Sequence, residues 1–138
     1  MTMNNATALL MELARMNDMI WVIGGRSVVS ENNSEGMLEP EIENGYISLE
    51  ANNWHCHIAS DDVTNAQFVH AQSHEDLVSY YVRFSKGYDQ TLVRCYFPNP
   101  RLDNNLNRVE LQQERLDAFN EKKEMYINGD DIVFVDRT

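Results

Sequence analysis

The sequence predicts an α+β fold, a curled antiparallel β-sheet meander with an N-terminal helix and a longer C-terminal helix. Three observations predict it. Between Gly45 and Phe97 lie five short runs of strand character, spaced too closely for crossover helices, so hairpins must join them into an antiparallel sheet. Apolar residues recur at helical spacing on either side of those runs. The 138 residues, 43% hydrophobic and 24% charged, suit one domain, 1–138, with a core of its own.

Each element has its own reason. In Ala6–Met16, Leu9, Leu10, Leu13 and Met16 share one helical face, and Asn17–Asp18 ends it. Met19–Ile23 reads as a strand closed by Gly24–Gly25, with Ser27–Ser30 a second short one. The stretch Glu31–Glu43 is acidic, carries Gly36 and Pro40, and lacks periodicity. It is expected to be a mobile loop with at most one poor edge strand. The five runs are Gly45–Glu50, Trp54–Ile58, Val63–Ala71, Leu77–Phe84 and Thr91–Phe97. Turn signals at Asn52–Asn53, Asp61–Asp62 and Ser85–Gln90 separate them where such signals stand. Pro98 and Pro100 stop the last run. Leu102, Leu106, Val109, Leu116 and Phe119 then fall on one stripe, which predicts a helix of about Asn104 to Lys123. Asn128–Gly129 turns the chain into a final strand, Ile132–Val135.

Asp and Glu outnumber Lys and Arg by 22 to 11, a net charge of -11. Such a surface repels phosphate backbones and anionic lipid, which excludes generic nucleic-acid and membrane binding. No run approaches a membrane span, and Met19–Gly25 is too short and too acidic in its flanks for a signal sequence. Cys56 and Cys95 form no CxxC and sit in apolar runs, as buried thiols of a cytoplasmic protein. Catalytic motifs are absent: no GxSxG, no phosphate loop ending in Lys-Ser/Thr, no HExxH. The leading expectation is therefore a non-enzymatic protein, with a metal-dependent enzyme built on His55 and His57 left open.

Chemistry concentrates in the histidines. In Trp54-His55-Cys56-His57-Ile58 the strand period of two puts Trp54, Cys56 and Ile58 on the core side and His55 and His57 on the other. Imidazoles two residues apart lie roughly 7 Å from each other along a strand, close enough to share a metal ion. Three readings compete: a solvated pair, an axial ligand to haem iron, or a first-row metal held by both with Asp61 or Asp62. The last has a weak likeness to the cupin motif. His70 shares a face with Ala66 and Phe68 and is expected to be a satisfied, partly buried ring. His74 falls in a polar connection. Either could be a second axial ligand to a haem.

Haem needs apolar or aromatic walls and basic groups for its propionates. Tyr80, Phe84, Tyr96 and Trp54 are candidate walls. Arg83 and Arg94 stand in strands that look half-buried, where an arginine needs a partner. A propionate, Asp76, Glu75 or a carboxylate of a dimer mate would serve. Lys86 is expected to be solvated.

The segment His57–Phe119, with the Gly-Tyr strand before it, resembles the small haem-utilisation proteins of the ChuX/HutX type, in the HemS/ChuX-like superfamily. The likeness rests on Gly45-Tyr46-Ile47, His57-Ile58, Val63–Phe68, Ser79–Phe84, Gly87, Leu92–Phe97 and the helix with Leu116 and Phe119. It departs from the family pattern at Glu50, where a second histidine is expected, and at Pro98–Arg101. The resemblance implies a split antiparallel β fold, a homodimer, and haem held in a cleft through His57 with His55 adjacent. Arg83, Arg94 and Tyr96 complete the candidate cofactor site, and His57 and His55 are its candidate metal ligands. Haem would pass to an accepting protein. Two alternatives stand beside this: an interaction protein that keeps the fold without the ligand, and a small metal-binding protein using the His-x-His pair.

Overall fold

The computed structural model describes residues 3–73 and 76–138. Helix α1 (Asn5–Leu13) opens the chain; Asn4 caps it by accepting from the Thr7 N–H at 2.7 Å and donates its amide to Val63 O. Strands β1 (Ile20–Ile23), β2 (Ser30–Asn33), β3 (Glu41–Glu43), β4 (Tyr46–Glu50) and β5 (His55–Ala59) follow. Next come β6 (Asn65–Gln72), β7 (Val78–Lys86) and β8 (Gln90–Tyr96), then helix α2 (Gln113–Tyr126) and strand β9 (Ile132–Arg137).

The α+β class is as expected, but the strands divide into two sheets. Six pair in the order β2-β1-β8-β7-β6-β9, and three in the order β3-β4-β5. All contacts are antiparallel except one: β9 lies parallel to β6, because α2 carries the chain back across the sheet before the last strand begins. The stretch Glu31–Glu43, expected to be a loop, contributes most of β2 and all of β3. The reason at β3 is the two-residue Asn44–Gly45 turn, both residues left-handed (φ 55° and 82°), which suits a tight hairpin to β4.

The second difference concerns the long helix. It begins at Gln113, and residues 101–112 form a compact loop. Leu102, Leu106 and Val109 have helical spacing, but the Asp103 carboxylate accepts from the Asn105 and Asn107 N–H groups at 2.9 Å and holds a turn instead. Leu102 bridges to Arg108 across that turn.

One core joins the parts. Leu9, Leu10 and Leu13 of α1, Ile47, Leu49 and Ile58 of the small sheet, and Trp21, Phe68, Val82, Phe84 and Cys95 of the large sheet are buried together. Helix α2 adds Phe119, which meets Phe68, Tyr80 and Phe97 edge-on at 5.3–5.6 Å between ring centres. Both helices and the small sheet thus cover the same face of the large sheet. The residues of its other face, Val22, Val69 and Tyr81 among them, lie outside that core.

Candidate functional site

His55 and His57 stand as the strand period requires, exposed on the outward face of β5, their ring centres 5.7 Å apart. Cross-strand register adds Glu50 opposite His55 and Ser48 opposite His57, with Glu41 beyond Ser48 on β3. Ser48 Oγ lies 2.9 Å from Nδ1 of His57, which fixes the ring and leaves Nε2 for an external partner. A shallow hollow of about 500 Å³ lies beside His57, lined by Glu43, Asn44, Tyr46 and Ser48. Glu43 is the one carboxylate in its lining, and no Lys or Arg joins it there.

Asp61 and Asp62 do not complete a metal set. They lie in the short turn after β5, where Asp62 faces Lys86 at 3.4 Å, and no group of three metal-ligating side chains forms among the described residues.

Arg83, Arg94 and Tyr96 gather on the face of the large sheet that lies outside the shared core. Pairing across the strands sets Val22, Arg94, Arg83, Gln67 and Val133 in one row and Ile20, Tyr96, Tyr81, Val69 and Val135 in the next. The Tyr81 and Tyr96 rings are 4.6 Å apart, and Arg94 donates to the Tyr96 hydroxyl at 3.1 Å. Arg83 donates to Thr91 Oγ1 and to the Tyr88 carbonyl. Burial, followed by the charge of Arg137, lowers the Arg83 pKa, so three guanidiniums share this face. Burial raises the pKa of Tyr96. Asp76, expected as an arginine partner, is taken by Arg108 at 2.8 Å. Among the described residues no carboxylate forms an ion pair with Arg83 or Arg94. Two buried polar atoms in the row have no partner, Arg94 Nε and Gln67 Oε1.

The two groups are therefore not brought together within one chain. The histidines face away from the core on the small sheet, and the arginines face away from it on the large sheet. Trp54 and Phe84 belong to the shared core or its edge, Phe84 stacked on Trp21. His70 is half-buried, Nε2 3.3 Å from Asp136 and the ring 4.8 Å from Phe134. His74 and Glu75 lie outside the described residues. Both thiols are free, with pKa values pushed up by burial, to about 11 for Cys56.

A feature that the sequence did not announce is a cleft of about 1030 Å³ at one end of the large sheet. Tyr80, Tyr96, Phe97 and Leu77 line it from the sheet side, and Leu102 and Leu106 from the loop. No helix among the described residues is long and apolar enough to cross a membrane.

Comparison with solved structures places the fold. The haem-binding protein ChuX shares 12% identity over 86% of this chain and 70% of its own, with a TM-score of 0.63. A protein from Erwinia carotovora shares 14% over 87% and 71%, with a TM-score of 0.66. One from Agrobacterium tumefaciens shares 19% over 87% and 66%, also at 0.66. No curated protein matches the sequence. A family model matches residues 7–128. With that match spanning most of the sequence and the split α+β fold in common, the chain belongs to the ChuX/HutX-like family.

Proposed function

We propose that this protein binds haem and hands it on, acting in the cytoplasm as a homodimer. The observation that carries the reading is the pair Arg83–Arg94 beside Tyr96, without an ion-pair partner among the described residues, on the apolar and aromatic sheet face that lies outside the shared core. That is the surface a porphyrin with two propionates asks for: rings and aliphatic side chains under the disc, guanidiniums for the carboxylates. The orphaned Arg94 Nε supports it, because a buried donor is costly until an acceptor arrives.

His57 is the iron ligand of this reading, with His55 beside it. Ser48 occupies Nδ1, so Nε2 is the nitrogen left for the iron, and in the tautomer that donates from Nδ1 to Ser48 it carries the lone pair an axial ligand needs. When bound, haem supplies the iron that such a nitrogen takes. The acidic surroundings of the pair do not suit propionates, and the arginines stand on the opposite face. A haem that uses both groups therefore sits between two copies of the chain, which makes the homodimer part of the proposal. An accepting protein would remove haem by competing for the exposed histidine.

Hemin titration tests this. A saturable Soret shift is expected, lost in His57→Ala and weakened in the Arg83→Gln/Arg94→Gln variant. Mixing the two variants restores part of it, since each supplies what the other lacks. A spectrum that neither variant changes overturns the assignment, and the absence of any saturable shift leaves an interaction protein with the family fold.

A further inference from the structure

We propose that the cleft at the end of the large sheet is a second binding site, one that takes a small organic cation with an apolar body. It goes beyond the haem reading and rests on different residues, with Ile20 and Tyr96 bordering both surfaces.

The size comes first. About 1030 Å³ lies at the upper end of the range occupied by small-molecule sites. The lining then sets the chemistry. Tyr80 and Phe97 offer aromatic surface, Leu77, Ile20 and Leu106 aliphatic surface, and four carboxylates stand around them: Asp18, Glu31, Glu35 and Asp103. The one basic residue in the lining, Arg115, is already committed. It donates to the carbonyls of Asn99 and Leu102 and to Asn104, and so braces the loop wall. What remains for a ligand is an apolar floor under a negative rim. Such a site attracts a protonated amine or a delocalised cation over its aromatic rings and repels a dicarboxylate. The propionates of haem are excluded on the same ground.

The backbone adds an independent sign. Three described non-glycine residues have positive φ, and two of them, Asp18 (62°) and Leu106 (64°), line this cleft, one from the turn before β1 and one from the 101–112 loop. Aspartate tolerates that conformation; leucine does so at a cost. Leu106 is also 76% exposed, so its strained position secures no burial in the free protein. A strained residue with an idle apolar side chain at the mouth of an apolar cleft has a use once a ligand supplies the surface it lacks.

The probes are rhodamine 6G, an aromatic cation, and fluorescein, an anion on a similar xanthene frame, each followed by fluorescence anisotropy. Saturable binding of the first and none of the second is expected. Glu31→Gln/Glu35→Gln should weaken it about tenfold, by loss of charge. Leu106→Asn keeps the left-handed turn and removes the apolar contact, with an expected loss of about fivefold. His57→Ala should leave rhodamine binding unchanged. Hemin titration of the Leu106→Asn variant runs in parallel, so failure here and failure of the haem reading show separately. Equal binding of both dyes, or rhodamine binding that neither cleft variant alters, overturns the proposal.

Discussion

Arg83 and Arg94 face each other across β7 and β8, and no carboxylate of the described chain lies between them. Two like charges at directly opposed strand positions work against the fold. Arg94→Met keeps the aliphatic contact with Tyr96 and removes the orphaned Nε. It should stabilise the free protein by about 0.5–1 kcal/mol, while weakening hemin binding. Thermal denaturation with and without hemin reads both effects, and a drop in the apo Tm would show that the pair is compensated.

Phe119 is the one fully buried side chain of α2, and three other rings close around it. Phe119→Ala should cost about 3–5 kcal/mol in urea denaturation. A loss below about 1 kcal/mol would mean that α2 is held mainly by its polar contacts.

Those polar contacts have a pH signature. Glu12 of α1 accepts from Lys122 and Tyr126 of α2. The Lys122 hydrogen bond, followed by that of Tyr126, lowers the Glu12 pKa, so its contribution is full above the unfolded carboxyl value and fades as pH falls through the lower folded value. Tyr126 shifts the other way, pushed up to about 12 by burial and by Glu12. Its contribution is full below pH 10 and is lost as pH rises toward 12. Denaturation midpoints across pH should slope at both ends in the natural sequence. Tyr126→Phe should flatten the alkaline slope; if it does not, another group carries it.

Leu106→Gly relieves the left-handed leucine. Although glycine adds entropy to the unfolded chain, the net effect should be a gain of about 0.5–1 kcal/mol. A destabilised variant would show that Leu106 packs in the free protein after all.

The strands and their faces were legible because alternation is a local property. Trp54–Ile58 declared which side its histidines take, whereas the common face of Arg83, Arg94 and Tyr96 emerges only from the register of β7 with β8. Local alternation does not tell which sheet a strand joins, so the separation of His57 from Arg83 stayed hidden until β3–β5 parted from the other six. The helix was misplaced for a related reason. Leu102, Leu106 and Val109 carry helical spacing, yet one carboxylate, Asp103, captures two backbone N–H groups and outweighs it. The end cleft left no sequence pattern at all, since its walls come from the α1–β1 turn, β2, the ends of β7 and β8 and the 101–112 loop.

The parallel pairing of β9 with β6 puts Ile132 in the same core as Leu9 and Leu10. A nascent polypeptide emerging from the ribosome cannot close that interior until residue 132 is free of the exit tunnel, so the β6 border of the large sheet stays unsealed until then. Covering that border during translation falls to chaperones or to fast α2 docking, and a pause before β9 would expose the growing molecule to sticking edge to edge.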